Sequence, residues 1–146
     1  MDYKKEIVNK LRSYVAIQES LVTSADEIQR LRMEMGSIRS ASSDGTPVSG
    51  ETNRREERLI NNIALRSEME RSRQNAKEWL RIMDSAMKKL DPEELRILDL
   101  MYIHTQKNAV MRLMEELNIE KATVYYRRDK ALRHFALLFY GDEQRV

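Results

Sequence analysis

Helix-breaking residues are concentrated in one short segment of this chain, and long uninterrupted stretches lie on either side of it. Three of the four glycines, Gly36, Gly45 and Gly50, fall within residues 36–53, together with Pro47 and five serines. Because glycine and proline disfavour helices most strongly, the flanking stretches are free to form long ones. Residues 36–53 have too little apolar surface to offset the entropy of ordering, and we expect a flexible connection there.

Apolar residues recur at three- and four-residue steps in the stretches 2–35 and 54–90, which predicts one apolar face on each of two long helices. One helix cannot cover its own apolar stripe. We therefore expect residues 1–90 to form a long helical hairpin with coiled-coil packing, within one chain or between two copies. The stripe residues are Ile7, Leu11, Tyr14, Leu21, Ile28 and Met35, then Met69, Ala76, Leu80, Met83, Met87 and Leu90, with Arg73 as a polar exception.

The composition excludes several classes of protein. Cysteine is absent, which rules out disulfides, thiolate catalysis and cysteine-based metal sites. Neither His104 nor His134 has neighbours at a catalytic or ligand spacing, so we expect no enzyme activity and no cofactor or metal. We expect His104 to face solvent in a turn, and His134 to lie among basic side chains or to contact phosphate.

The sequence also favours a location away from membranes. No apolar run reaches the roughly 20 residues that a membrane span needs. The first ten residues are charged and lack the apolar core of a signal peptide. We therefore expect a cytoplasmic protein with no membrane partner.

A new helix is predicted to begin directly after the second long stretch. Asp91 is a good N-cap residue, Pro92 suits the first helical position, and two glutamates follow where the positive helix end favours acidic side chains. We place a domain boundary here, between the long-helix region 1–90 and a C-terminal domain over residues 91–146.

Two further helices are predicted in the C-terminal domain, separated by a sharp turn. Asn108 can cap a short helix. This helix is expected to stop at Asn118, because asparagine best replaces glycine in a left-handed backbone conformation. Ile119 then fills the space between helices, and a final helix is expected over residues 121–140, where Gly141 stops it. Two helices joined by so short a turn form a helix-turn-helix.

The final helix divides into two sides when its residues are placed at about 100° each. Its predicted buried stripe consists of Val124, Ala131, Leu132 and Phe135. In a helix-turn-helix the first two turns of the second helix enter the major groove. We therefore predict DNA base contacts from Lys121, Ala122, Thr123, Tyr125 and Tyr126. Basic and polar side chains nearby suit phosphate oxygens, which position the protein without specifying sequence: Lys107, Asn108, Arg112, Arg127, Arg128 and Arg133.

The charge pattern agrees with this interpretation. Residues 91–119 hold three basic and six acidic residues, a net charge of −3, whereas residues 120–135 hold five basic and two acidic residues, a net charge of +3. An acidic supporting segment followed by a basic one is typical of a DNA-reading helix packed on its neighbours. An amphipathic helix with a solvated basic face has the same charge pattern, and that alternative stays open here.

Three stretches of the C-terminal domain share a characteristic order: LRILDLMYI at residues 95–103, MEELNI at 114–119 and ATVYYRRDKAL at 122–132. Together they resemble region four of bacterial sigma factors and, more closely, the ArpU and RinA type of phage regulators, which join long N-terminal helices to such a module. The resemblance implies an all-α fold, with a long N-terminal helical hairpin followed by a sigma region four-like helix-turn-helix. It also implies a phage or prophage transcriptional regulator.

We therefore expect a protein that binds double-stranded DNA and regulates transcription, as a homodimer held by the long helices. RNA polymerase is a further candidate partner. Two other interpretations stay open: a phage DNA-packaging protein of the small-terminase kind, which forms a ring, and a module that binds RNA polymerase without DNA. The oligomeric mass separates a dimer from a ring.

Overall fold

The computed structural model describes residues 3–40 and 49–141, and it is all-helical, with no strand in these residues. The helices are α1 Tyr3–Ser40, α2 Ser49–Lys88, α3 Pro92–Leu98, α4 Ala109–Leu117 and α5 Lys121–Tyr140. A π-helical turn, Asp99–Ile103, continues α3. The predicted all-helical class is confirmed. Among the described residues, no helix combines the length and the apolar character that crossing a bilayer requires.

The two long helices reach further into the glycine- and serine-rich segment than the sequence indicates. α1 continues through Gly36 to Ser40 and α2 begins at Ser49, so residues 36–40 and 49–53 are helical rather than part of a flexible connection. A glycine within a helix costs only about 1 kcal/mol relative to alanine, which a long helix tolerates. The remainder of the predicted connection, residues 41–48, lies outside the described residues.

The chain divides into two compact units. The first contains the described parts of Met1–Gln18 and Trp79–Val146, and the second is Glu19–Glu78. Each long helix therefore contributes one segment to each unit. The domain boundary that the sequence predicts between residues 90 and 91 stays a prediction.

Within the second unit, segments of α1 and α2 from one chain pack around a thin apolar core. Ile28 and Leu31 of α1 are buried. Asn62 of α2 is buried beside them, donates its amide to the Leu31 carbonyl at 2.8 Å and accepts a hydrogen bond from Arg66 at 2.8 Å. Because a buried amide is costly without partners, these bonds favour one alignment of the two segments.

Arg73, the polar exception in the predicted α2 stripe, also contacts α1. It donates to Oγ of Ser24 at 2.9 Å and to the backbone carbonyl of Leu21. The order of the contacts, residue 21 with 73 and residue 31 with 62, is that of antiparallel neighbours. In this unit, the packing of α1 against α2 thus depends on polar side chains as well as on the apolar stripes.

The first unit has the larger core, drawn from all five helices. A hydrogen bond from the Tyr14 hydroxyl to the Asp84 carboxylate joins α1 to α2. Burial, and then this bond, raise the pKa of Tyr14 to about 12, so the phenol stays protonated at neutral pH. The largest fully buried side chains of the unit are Phe135, Ile7, Leu11, Met83, Ile97, Leu98, Leu113 and Val124.

α3 begins as the sequence predicts. Asp91 has an extended backbone at the N-cap, Pro92 takes the first helical position, and the Glu94 carboxylate accepts the Asp91 N–H at 3.1 Å. The same carboxylate lies 2.8 Å from Nδ1 of His134. The start of α3 is therefore tied to α5.

The π-helical turn after α3 is a feature that the sequence analysis does not predict. The His104 N–H donates to the carbonyl of Asp99, five residues earlier, at 2.8 Å. This wider turn changes the angular spacing of the side chains that follow α3. Leu100, Tyr102 and Ile103 are all buried there.

Candidate nucleic-acid interface

A tight turn separates α4 from α5. Asn118 ends α4 in the left-handed conformation that the sequence predicts, with φ 52° and ψ 53°. Its N–H and that of Ile119 both donate to the Met114 carbonyl. Glu120 returns to an extended conformation, and α5 begins at the next residue. The Met114 carbonyl thus accepts two hydrogen bonds where the chain changes direction.

The backbone of Asn118 allows a direct test of this turn. The left-handed conformation costs most L-residues about 1–2 kcal/mol, whereas asparagine and glycine tolerate it. We expect Asn118→Ala to lower the free energy of unfolding by about 1 kcal/mol, and Asn118→Gly, the matched control, to leave it nearly unchanged. Urea denaturation followed by circular dichroism measures both variants. Equal losses in the two would contradict a left-handed residue here.

Apolar packing fixes α4 and α5 against α3. Ile97, Leu100, Leu113 and Val124 form a buried cluster in which no residue is more than 3 % exposed. Ile119 packs against it, as expected for the residue after the turn. The predicted buried stripe of α5 is confirmed, since each of its four residues is buried. This packing therefore fixes which side of α5 faces away from the core.

The five residues predicted to contact bases differ in exposure. Lys121 and Ala122 are exposed, and Tyr126 is 71 % exposed, so its ring and hydroxyl are both open to a partner. Thr123 and Tyr125 are half-buried. Three of the five predicted base contacts are thus exposed, and two are half-buried.

Four of the predicted phosphate contacts, Lys107, Asn108, Arg112 and Arg133, are exposed. Arg112 donates to the side chain of Gln106 at 3.3 Å. Asn108 stands at the N-cap of α4, but its side chain makes no capping hydrogen bond. The predicted side-chain cap is wrong, because Asn108 has a left-handed backbone with φ 59° instead of the extended conformation that N-cap residues use.

The other two predicted phosphate contacts are engaged within the protein. Arg127 forms an ion pair with Glu93 of α3. Arg128 donates to the Asp129 carboxylate at 2.9 and 3.1 Å, and its guanidinium lies 4.9 Å from the ring centroid of Tyr125. Both cations therefore have carboxylate partners within the protein.

The start of α1 also lies at this surface, which the sequence analysis does not predict. Nζ of Lys4 is 3.7 Å from the Asp129 carboxylate. Asp129 is recognisable in the sequence as an acidic residue among basic ones. Nothing in the local pattern links it to Lys4, because a contact so distant along the chain depends on the packing of α1.

The two histidines have carboxylate neighbours. His104 is exposed in the turn after α3, as predicted, with Nδ1 2.5 Å from Asp99. His134 is half-buried and lies 2.8 Å from Glu94, an acidic neighbour that the sequence does not predict, and its contact with phosphate stays a prediction. The difference arises because α3 packs along α5 and brings its carboxylate to that position.

Within residues 3–40 and 49–141, no three His, Cys, Asp or Glu side chains are grouped so that they could hold a metal ion. Comparison of the chain with family models, with curated proteins and with solved structures gives no match. The function is therefore inferred from α4, the turn and α5.

Proposed function

We propose that this protein is a sequence-specific DNA-binding regulator of transcription that reads duplex DNA with α5. The observation that supports this most directly is the division of α5 into two sides. Val124 and Ala131 are fully buried against the rest of the unit. Lys121, Ala122 and Tyr126, in the first two turns, are exposed on other sides of the helix. A helix held in this way can enter a major groove without breaking its packing.

The charge of the surface supports the same proposal. Lys121, Lys130 and Arg133 are exposed, and none of them forms an ion pair with another described residue. On α4, Glu116 is compensated by two hydrogen bonds from Arg96, at 2.7 and 2.9 Å. These bonds hold the pKa of the Glu116 carboxyl below its usual range. Exposed cations that are not paired with a described carboxylate favour the binding of a polyanion.

At the level of family, we propose a phage or prophage regulator of the ArpU and RinA type. In this proposal α4, the turn and α5 form a helix-turn-helix like that of sigma region four, and α1 with α2 form the long helical hairpin. The turn at Asn118 and the order of two long helices before three shorter ones support it. The proposal includes no catalytic activity and no cofactor.

We further propose a cytoplasmic homodimer on duplex DNA, with RNA polymerase as a candidate partner. Support comes from apolar side chains of the unit Glu19–Glu78 that a second copy would cover: Val22, Met33 and Ile60 are 66, 67 and 65 % exposed. A dimer also matches paired half-sites on DNA. Light scattering on the full chain tests this, since a closed ring would favour DNA packaging instead.

The decisive experiment is a selection of preferred duplexes from random and phage genomic DNA, repeated with Lys121→Ala and Tyr126→Ala. We expect the wild-type chain to select a defined sequence. Each variant should lose discrimination at one or two base pairs, by about 1–3 kcal/mol per lost base contact. Lys77→Ala, which removes an exposed lysine of α2, is the matched control and should keep the wild-type preference.

Two results would contradict the proposal. The wild-type chain could retain no duplex at any salt concentration, which removes DNA binding altogether. Alternatively, it could bind all duplexes equally, with Lys121→Ala and Tyr126→Ala indistinguishable from wild type, which removes base reading by α5.

A further inference from the structure

An acidic residue lies in the middle of the proposed DNA-binding side of α5. Asp129 shares that side with Ala122, Tyr126 and Arg133 at three- and four-residue spacings. Its side chain is 37 % exposed. A carboxylate that faces phosphate groups lowers affinity for DNA, so its presence on this side requires a physical reason.

Asp129 has two cationic partners, and the first is Arg128. Its Nε and one terminal nitrogen donate to the same Asp129 oxygen at 3.1 and 2.9 Å, and its guanidinium lies over the Tyr125 ring. The side chain of Arg128 is only 26 % exposed. These contacts lay the arginine along the surface of α5 rather than outward toward a phosphate.

The second cationic partner of Asp129 is Lys4. Its Nζ lies 3.7 Å from the Asp129 oxygen that Arg128 also contacts. Ile7, one turn further along α1, and Leu11 beyond it have no exposed surface, so the start of α1 is anchored beside α5 in the same unit. One carboxylate therefore compensates two cations, Arg128 of α5 and Lys4 of α1.

We propose that Asp129 restrains Arg128 and Lys4 from phosphate contacts and thereby lowers the affinity of this surface for duplex DNA of any sequence. The inference rests on the proposed function. Phosphate contacts supply most non-specific affinity and carry no sequence information. Restraining two of them keeps the chain from being retained on non-target DNA. Arg128 then makes no phosphate contact in the wild type, contrary to the expectation from the sequence.

Asp129→Asn tests this, because it keeps the shape of the side chain and removes its charge. We expect the affinity of the full chain for a random-sequence duplex to rise about tenfold at 0.1 M salt. The plot of log affinity against log salt should steepen by about 0.9 for each new phosphate contact. Adding Arg128→Ala to Asp129→Asn should remove most of the gain, whereas Arg128→Ala alone should bind no more tightly than wild type does.

Fluorescence anisotropy across a salt series measures all four proteins, and Asp26→Asn, an exposed acidic position on α1, controls for net charge. If wild type binds duplex DNA and Asp129→Asn binds no more tightly than wild type or Asp26→Asn, this inference is overturned and the proposed function stands. If wild type binds no duplex, both fail. Should Asp129→Asn not fold, Asp129→Ala decides: tighter binding than wild type supports the inference, and unchanged or weaker binding overturns it.

Discussion

Phe135→Ala is expected to lower the free energy of unfolding by about 3–5 kcal/mol. Phe135 is the largest fully buried side chain of the described residues, and its ring centroid lies 6.1 Å from that of Phe139. Truncation removes its burial and leaves a cavity that the neighbouring helices close only in part, so the two costs add. Since single domains are stable by about 5–15 kcal/mol, a large share of the total is lost. Urea denaturation of the full chain measures the change.

The matched control for Phe135→Ala is Tyr126→Ala, which removes an aromatic ring from the exposed side of the same helix. Because Tyr126 is 71 % exposed, we expect its loss to change the free energy of unfolding by less than about 0.5 kcal/mol. The two variants thus separate stability from recognition, since Tyr126→Ala should alter only the preferred DNA sequence. Similar stabilities for both would show that α5 is not oriented as described.

The second large effect is expected when Lys121, Lys130 and Arg133 are replaced together by alanine. Lys121 is proposed to contact a base, so the lost phosphate contacts are those of Lys130 and Arg133, and the salt slope should fall by about 0.9 for each, or about 1.8 in total. Affinity for every duplex should fall at least about tenfold at moderate salt, because counterion release drives non-specific binding. Binding is measured by fluorescence anisotropy over a range of salt concentrations.

Net charge alone also changes DNA affinity, so the triple variant needs a control with the same loss of charge. Arg58, Arg71 and Lys77 are exposed on α2, within the unit Glu19–Glu78. Their joint replacement by alanine should leave the salt slope close to that of wild type. If the control lost as much affinity as the triple variant, the binding would depend on overall charge, and α5 would not be the DNA-binding element.

Several local features of the fold follow from single residues. The start of α3 at Asp91 and Pro92, the left-handed turn at Asn118 and the end of α5 at Gly141 all occur where the sequence predicts them. Each depends on the conformational preference of one or two residues, and the surrounding fold does not need to be known. The buried stripe of α5 is predictable for a related reason, because helical spacing alone places its apolar residues together.

Other features depend on which elements meet. The left-handed backbone of Asn108 and the π-helical turn Asp99–Ile103 arise where α3 is joined to α4, and no local pattern specifies them. α1 and α2 also extend into residues 36–40 and 49–53, where the glycine- and serine-rich composition predicts a flexible connection. Glycine and serine lower helix propensity, but they do not end a helix that continues on both sides.

By itself, the sequence determined the helical class, the boundaries marked by capping and turn residues, and the buried side of α5, because these depend on preferences within a few neighbouring residues. Only the tertiary structure decided which of the described cations are paired with carboxylates. Arg127 is paired with Glu93, and Asp129 lies beside both Arg128 and Lys4. Pairing between charges far apart in the chain depends on how α1, α3 and α5 pack, and side-chain spacing along one helix contains no information about its neighbours.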